Sequence, residues 1–274
     1  MNPELDSWLD DVLTARRAVL VATDYDGTIA PIVSHHANAE PLPNAFATLT
    51  RLANTPGVRV AILTGRGVED AAQRCRELRS VWVCAEHGSV LLEPGGGIWA
   101  HDPVTEPHAI ASLVTAAVEM GKSFPGARVE TKLGGVALHL REVPSDLRPA
   151  LVARFRDAAS ERGARILEGR MVTEARFGKG DKGTALQTLL GRLADTTAVI
   201  YAGDDITDES AYEIVCGLPR GFAVHVASTE RATPRRSVHS IVDGPEEWVG
   251  MLGSMADVLG ARNELASTRF PDAT

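Results

Sequence analysis

A series of short, nearly continuous runs of Val, Ile, Leu and Ala constrains what this chain can fold into. The runs are 18–24 (AVLVATD), 58–63 (VRVAIL), 81–85 (VWVCA), 198–203 (AVIYAG), 221–227 (GFAVHVA) and 239–242 (HSIV). Strands covered on both faces read this way, without the apolar–polar alternation of a half-solvated strand. Between several of them lie amphipathic helix patterns at 43–54, 67–78, 182–194 and 207–216. Repeated strand–helix–strand units predict an α/β fold with a doubly wound parallel sheet.

The middle of the chain breaks that rhythm. A helix is expected over 107–121, then a hairpin formed by 127–133 and 136–142 turning at Gly134-Gly135. A second helix near 146–162 and a second hairpin, 164–168 with 171–177 turning at Gly169-Arg170, complete the segment. This order predicts an α+β unit over 106–178 inserted into a core made of 1–105 and 179–274. Pro103 and Pro107 on one side and Gly178-Lys179-Gly180 on the other are the expected hinges. Period-two alternation puts Arg128, Glu130 and Lys132 on one strand face, His139 and Arg141 on another, and Glu174 with Arg176 on a third. If those faces coincide, one side of the small sheet is a polar platform suited to a hydroxyl-rich ligand. The tail beyond about residue 262 shows no pattern and is expected to fray.

Composition narrows the function classes. A net charge of −8 argues against a nucleic-acid partner, which calls for a basic stripe. Cys75, Cys84 and Cys216 have neither metal-like spacing nor an even number, as in a reducing compartment. The N-terminal stretch MNPELDSWLDDVLTARR is acidic and amphipathic, unlike a signal peptide, and no apolar run approaches the ~18 residues of a membrane span. Cytoplasmic location, no membrane partner and a monomer are the expectations.

Four polar groups fall at or near the ends of predicted core strands: Asp24-Tyr-Asp26-Gly-Thr28, Thr64-Gly65-Arg66, Lys182 opening a helix, and Gly203-Asp204-Asp205-Ile-Thr-Asp208-Glu209. Each alone is weak, because acidic turns and helix starts are common. Together, at the sheet rim where open α/β folds bind ligands, they fit phosphoryl transfer. Asp24 is the nucleophile that would form an aspartyl-phosphate. Asp24, Asp204 and the main-chain carbonyl of Asp26 offer the hard oxygens that Mg²⁺ prefers, with Asp208 holding a metal-bound water. Thr64 is expected to donate to the phosphoryl oxygens and Lys182 to neutralise their charge. Asp26 is expected to protonate the leaving oxygen and then deprotonate water.

This ordered set resembles the four motifs of the haloacid dehalogenase (HAD) superfamily of phosphatases, whose Rossmann-like core carries inserted caps. The segments DYDGTIAPI (24–32), ILTGR (62–66), AEHG (85–88) and GDDITDE (203–209) resemble the trehalose-6-phosphate phosphatase family more narrowly. So do ETK (130–132), HLR (139–141) and EGRMVTEAR (168–176) in the insert. The resemblance implies a small-molecule sugar-phosphate substrate. It implies substrate contacts from Gly65, Arg66, Glu86, His87, Glu130, Lys132, His139, Arg141 and Glu174. Thr64 stands where the family commonly has Ser, Leu140 where it has an aromatic and Phe177 where it has Pro. The last two changes leave room for a related pseudo-disaccharide phosphate, such as the aminocyclitol validoxylamine 7'-phosphate, or another sugar phosphate. A non-enzymatic phospho-receiver gathers similar residues, but it is much shorter and lacks a water-activating Asp26. A phosphomutase of the same superfamily needs a helical cap between Asp26 and Thr64, where this chain has no room for one.

Overall fold

The computed structural model describes residues 3–14, 17–33, 38–100, 106–169, 171–229 and 231–269, with side chains as far as 261. In chain order the elements are α1 (Pro3–Thr14), β1 (Ala18–Thr23), α2 (Ala45–Ala53), β2 (Val58–Leu63), α3 (Val68–Arg74), β3 (Trp82–Ala85), β4 (Val90–Leu92) and β5 (Ile98–Ala100). The middle segment holds α4 (Pro107–Ser123), β6 (Arg128–Lys132), β7 (Gly135–His139), α5 (Arg148–Glu161), β8 (Arg165–Gly169) and β9 (Val172–Arg176). Then follow α6 (Lys182–Arg192), β10 (Thr196–Gly203), α7 (Glu209–Cys216), β11 (Gly221–Val226), β12 (Ser240–Val242) and α8 (Pro245–Arg269).

The large sheet has the order β12-β11-β10-β1-β2-β3-β4-β5. Every pairing from β12 to β3 is parallel. The continuous apolar runs are explained by burial on both faces. Val19 and Val21 join a core with α1, α2 and α8, whereas Leu20 and Ala22 join a second core with α6 and α7. The sheet is nevertheless mixed rather than wholly parallel. β4 and β5 pair antiparallel at its edge, around a turn closed by Glu93 N–H donating to Gly97 O at 2.7 Å. Strands of three residues carry too little pattern to stand out in a sequence.

Helix α8 also departs from the sequence reading, since it continues to Arg269 where a patternless tail is expected. Trp248, Leu252, Met255, Ala256 and Leu259 form its buried stripe at helical spacing. Gly250, Gly253 and Gly260 dilute its propensity, and tertiary packing overrides that. The amphipathic N-terminal stretch is helix α1, burying Leu5, Leu9 and Val12.

The small sheet is antiparallel, in the order β6-β7-β9-β8. Val136, Leu138 and Ala175 on one face pack with Leu113 and Ala117 of α4 and Leu151 and Phe155 of α5. The cross-strand partners Arg128↔His139, Glu130↔Ala137↔Glu174 and Lys132↔Gly135↔Arg176 lie on the opposite face. The three polar faces expected from alternation therefore coincide. The first hairpin turns at Leu133-Gly134, one residue earlier than expected. Pro103 and Arg170 lie outside the described residues. Among the described residues, no helix is long and apolar enough to cross a membrane.

Candidate active site

Asp24 sits at the carboxyl end of β1, its N–H donating to Ala202 O of β10 at 2.8 Å. One carboxylate oxygen, Oδ1, accepts from Tyr25 N at 2.7 Å. The other, Oδ2, lies 2.9 Å from Nζ of Lys182, the first residue of α6. That helix starts where it does because Asp181 and Thr184 form a reciprocal capping box. Lys182 Nζ also donates to Asp208 Oδ1 at 2.7 Å.

Carboxylate oxygens of Asp24, Asp204 and Asp208 lie within 4.8 Å of one another, all buried. Gly27, which has φ +79°, is required beside them, because a Cβ there would stand 2.1 Å from Asp204 Oδ2. This accounts for the glycine after Asp26. Burial, reinforced by Asp208 and Asp26 against the pull of Lys182, pushes Asp24 up to about 8. Burial would lower Lys182, but Asp208 and Asp24 outweigh it and hold the ammonium above its ordinary value. Asp24 and Asp204 thus form an oxygen donor set with excess negative charge, which suits a hard divalent cation.

Asp208 is engaged differently. Its Oδ1 accepts from Lys182 and from the Tyr201 hydroxyl, and its Oδ2 accepts from Asp204 N at 3.1 Å and Asp205 N at 2.9 Å. Four donors saturate the carboxylate and hold it ionised. Tyr201 was not among the expected site residues. Its only sequence signal is a hydroxyl inside the apolar run before Asp204.

Asp26 does not point its carboxylate into the carboxylate cluster. Arg66 grips it with a two-pronged contact, Nε to Oδ2 at 2.8 Å and Nη2 to Oδ1 at 2.6 Å. Asp70 holds a further guanidinium nitrogen, and the group lies over the Tyr25 ring, 5.1 Å from its centroid. Arg66, expected to contact substrate, lines the cavity, and its guanidinium is largely occupied by carboxylates. Thr64 is buried, its Oγ1 accepting from Arg66 N at 3.2 Å, and it does not line the cavity.

A cavity of about 190 Å³ separates these groups from the polar face of the small sheet. Asp24, Asp26, Lys182 and Asp204 line it on one side; Glu130, Lys132, His139, Arg141 and Glu174 line it on the other. Lys132 Nζ spans the two, donating to Gly65 O at 2.7 Å and Glu174 Oε2 at 2.6 Å. His139 Nε2 and Glu130 Oε2 share a hydrogen bond of 2.9 Å. His87 Nε2 lies 3.3 Å from Glu174 Oε2. Burial holds the His87 imidazole down to about 4, so the ring is neutral near pH 7. Burial would raise Glu174, but Lys132 first among its neighbours keeps it well below the usual carboxylate range. Glu174 Oε1 has no hydrogen-bond partner.

Glu86 is the exception among the expected substrate contacts. It does not line the cavity, and its carboxylate accepts main-chain N–H groups of Leu133 and Gly134. Asp205, Thr207 and Val172 line the cavity without having been expected to. Leu140 and Phe177, which raised doubt about the sugar, pack among the apolar residues between the small sheet and its helices, away from the cavity.

A family model described as trehalose-phosphatase matches residues 22–241. A trehalose-phosphate phosphatase of Mycobacterium marinum is 35% identical over 261 residues, covering 91% of this chain and 65% of the relative. One from Mycobacterium tuberculosis is 34% identical over 245 residues, covering 86% of this chain and 61% of the relative. The chain thus spans under two thirds of the length of these relatives. The C-terminal domain of Candida albicans trehalose-6-phosphate phosphatase shares the fold, with a TM-score of 0.79 at 20% identity, covering 94% of this chain and 97% of that one.

Proposed function

Since the chain belongs to the trehalose-phosphatase family, we propose that it is a phosphoric monoester hydrolase converting trehalose 6-phosphate to trehalose and inorganic phosphate. The observation that carries the reading is that the Asp24–Lys182–Asp204 cluster and the polar face of the small sheet line one shared cavity. One wall offers phosphoryl chemistry and the other offers donors and acceptors for a disaccharide.

Asp24 attacks phosphorus, forming the Asp24 O–P bond as the bond from phosphorus to the sugar oxygen breaks. For the proton steps Asp26 turns out of the Arg66 fork: it gives a proton to that oxygen, then takes one from the water that hydrolyses the aspartyl-phosphate and frees Asp24. Lys182 offsets charge on Asp24 and on the transferring group. Asp24 and Asp204, with the Asp26 main-chain carbonyl, are the residues that would hold Mg²⁺, and Asp208 orients Lys182 and the turn that carries Asp204. Bound Mg²⁺ screens the repulsion between the Asp24 carboxylate and the phosphate dianion. Lys132, Glu130, His139, Arg141 and Glu174 bind sugar hydroxyls. The unit at 106–178 acts as a cap that excludes bulk water, flanked by core segments 1–105 and 179–274. A cytoplasmic location accords with the three free thiols.

The test is phosphate release from trehalose 6-phosphate, glucose 6-phosphate, sucrose 6-phosphate and an aminocyclitol pseudo-disaccharide phosphate, with and without Mg²⁺. Metal-dependent preference for trehalose 6-phosphate, lost in Asp24→Asn, is the expected result. Preference for another member overturns the substrate and keeps the chemistry; full activity of Asp24→Asn overturns the nucleophile.

A further inference from the structure

The segment from Ala85 to Ser89 meets the small sheet from the core side. Glu86 and His87 there both adopt left-handed backbone angles, φ 49° and φ 53°, although neither is glycine. Strain of this kind persists only where the surroundings over-determine it, and it clusters at functional positions. The surroundings are specific. Glu86, only 2% exposed, accepts from Leu133 N at 2.8 Å through Oε1 and from Gly134 N at 3.1 Å through Oε2. Its own N–H donates to Arg66 O at 2.9 Å, and the next N–H, of His87, donates to Thr64 O at 2.9 Å. One residue therefore ties the Thr64-Gly65-Arg66 loop to the turn between β6 and β7.

We propose that Glu86 is a positioning residue that sets the register of the small sheet over Asp24, and not a sugar contact. Its two oxygens read two consecutive main-chain N–H groups, so the contact fixes where the turn sits whatever side chains the turn carries. Lys132 immediately precedes that turn and reaches Gly65 O from it. Glu130 lies two residues further along the same face, so it moves with the turn. On the neighbouring strand β9, Arg176 donates to Ser89 Oγ and gives the sheet a second tie to the same segment. The left-handed backbone at Glu86 aims the carboxylate at the turn, while that at His87 turns the imidazole toward Glu174.

The consequence for which phosphate ester is accepted rests on the proposed phosphatase reading; the contact itself does not. It is therefore tested without substrate, by residue-resolved amide hydrogen exchange on the full chain. In the unmodified protein the Leu133 and Gly134 amides are expected to be protected, and fast exchange at both overturns the proposal. In Glu86→Ala both should exchange roughly ten- to a hundredfold faster, the loss expected for a charge-assisted hydrogen bond, with β1 and β10 amides unchanged. If that variant does not fold, Glu86→Gln serves, since its side chain keeps one acceptor and deprotects one of the two amides. Unchanged protection at both amides in either folded variant overturns the proposal and returns Glu86 to the sugar contacts. A protein that hydrolyses none of the sugar phosphates still gives a decisive exchange result.

Discussion

Replacing Lys182 by Met removes the ammonium from the buried carboxylate cluster while keeping the length of the side chain. The ammonium lies 2.9 Å from Asp24 Oδ2 and 2.7 Å from Asp208 Oδ1, all three groups being buried. Removing one partner of a buried ion pair costs roughly 3–5 kcal/mol, because the remaining charge is left uncompensated. For a protein of this size that lowers the melting midpoint by about 10 °C. The cost depends on pH in a definite direction. Asp24, at about 8 in the folded metal-free protein against 3.8 unfolded, keeps its proton in the native state at acidic pH. An acid raised in this way loses native-state stability as pH climbs from about 4 to about 8. Near pH 5.5 Asp24 is neutral, and Lys182→Met forfeits chiefly the pair with Asp208. Near pH 9 it forfeits both pairs, so the gap to the unmodified protein widens from the lower toward the upper end of that range. Urea unfolding in the presence of a chelator measures the gap. Combining Lys182→Met with Asp208→Asn should recover about 1–3 kcal/mol of the loss, as groups in direct contact do. A gap below about 1 kcal/mol, or one that does not change between these pH values, refutes the electrostatic account of the cluster.

Two further perturbations separate neighbouring roles. Arg66→Lys keeps a charge but loses the fork that holds Asp26, so kcat should fall by roughly a hundredfold with little change in KM; a raised KM at constant kcat would instead make Arg66 a substrate contact. His87, held down to about 4 against 6.5 unfolded, contributes about 3 kcal/mol that is fully present above pH 6.5 and lost as pH falls toward 4. In His87→Asn the stability profile between pH 7 and 4 should flatten by that amount, and an unaltered slope would show that the imidazole is not buried neutral.

The strands that carry Asp24, Thr64 and Asp204 are legible in the sequence because local rules write them. A run buried on both faces is apolar throughout, and the chain itself puts the polar residue at its end. The polar platform is legible for the same reason, since period two assigns each residue of β6, β7 and β9 to a face before any partner is known. Asp181, Lys182 and Thr184 announce the start of α6 through the cap. Lys182 could thus be placed at a helix N-terminus from the sequence, though its two carboxylate partners could be inferred only from the motif pattern.

The tertiary structure alone decided how those groups are spent. Arg66 meets Asp26 across 40 positions of chain, and Glu86 meets Leu133 across 47; such pairings depend on sheet order and register, which leave no local trace. The antiparallel edge hairpin and α8 were missed because three-residue strands and a glycine-diluted helix are stabilised by what they pack against. Trp248 of α8 shows what that hides. Its indole donates to Thr23 Oγ1 at 3.0 Å, and that hydroxyl donates to Asp24 O at 2.9 Å. By itself the sequence determined that Asp24, Thr64 and Asp204 stand at the ends of buried strands and Lys182 at the start of a helix. Which of them face the cavity, and which are consumed in holding the others, was decided by three-dimensional packing, because buried carboxylates take whatever donors the fold brings within reach.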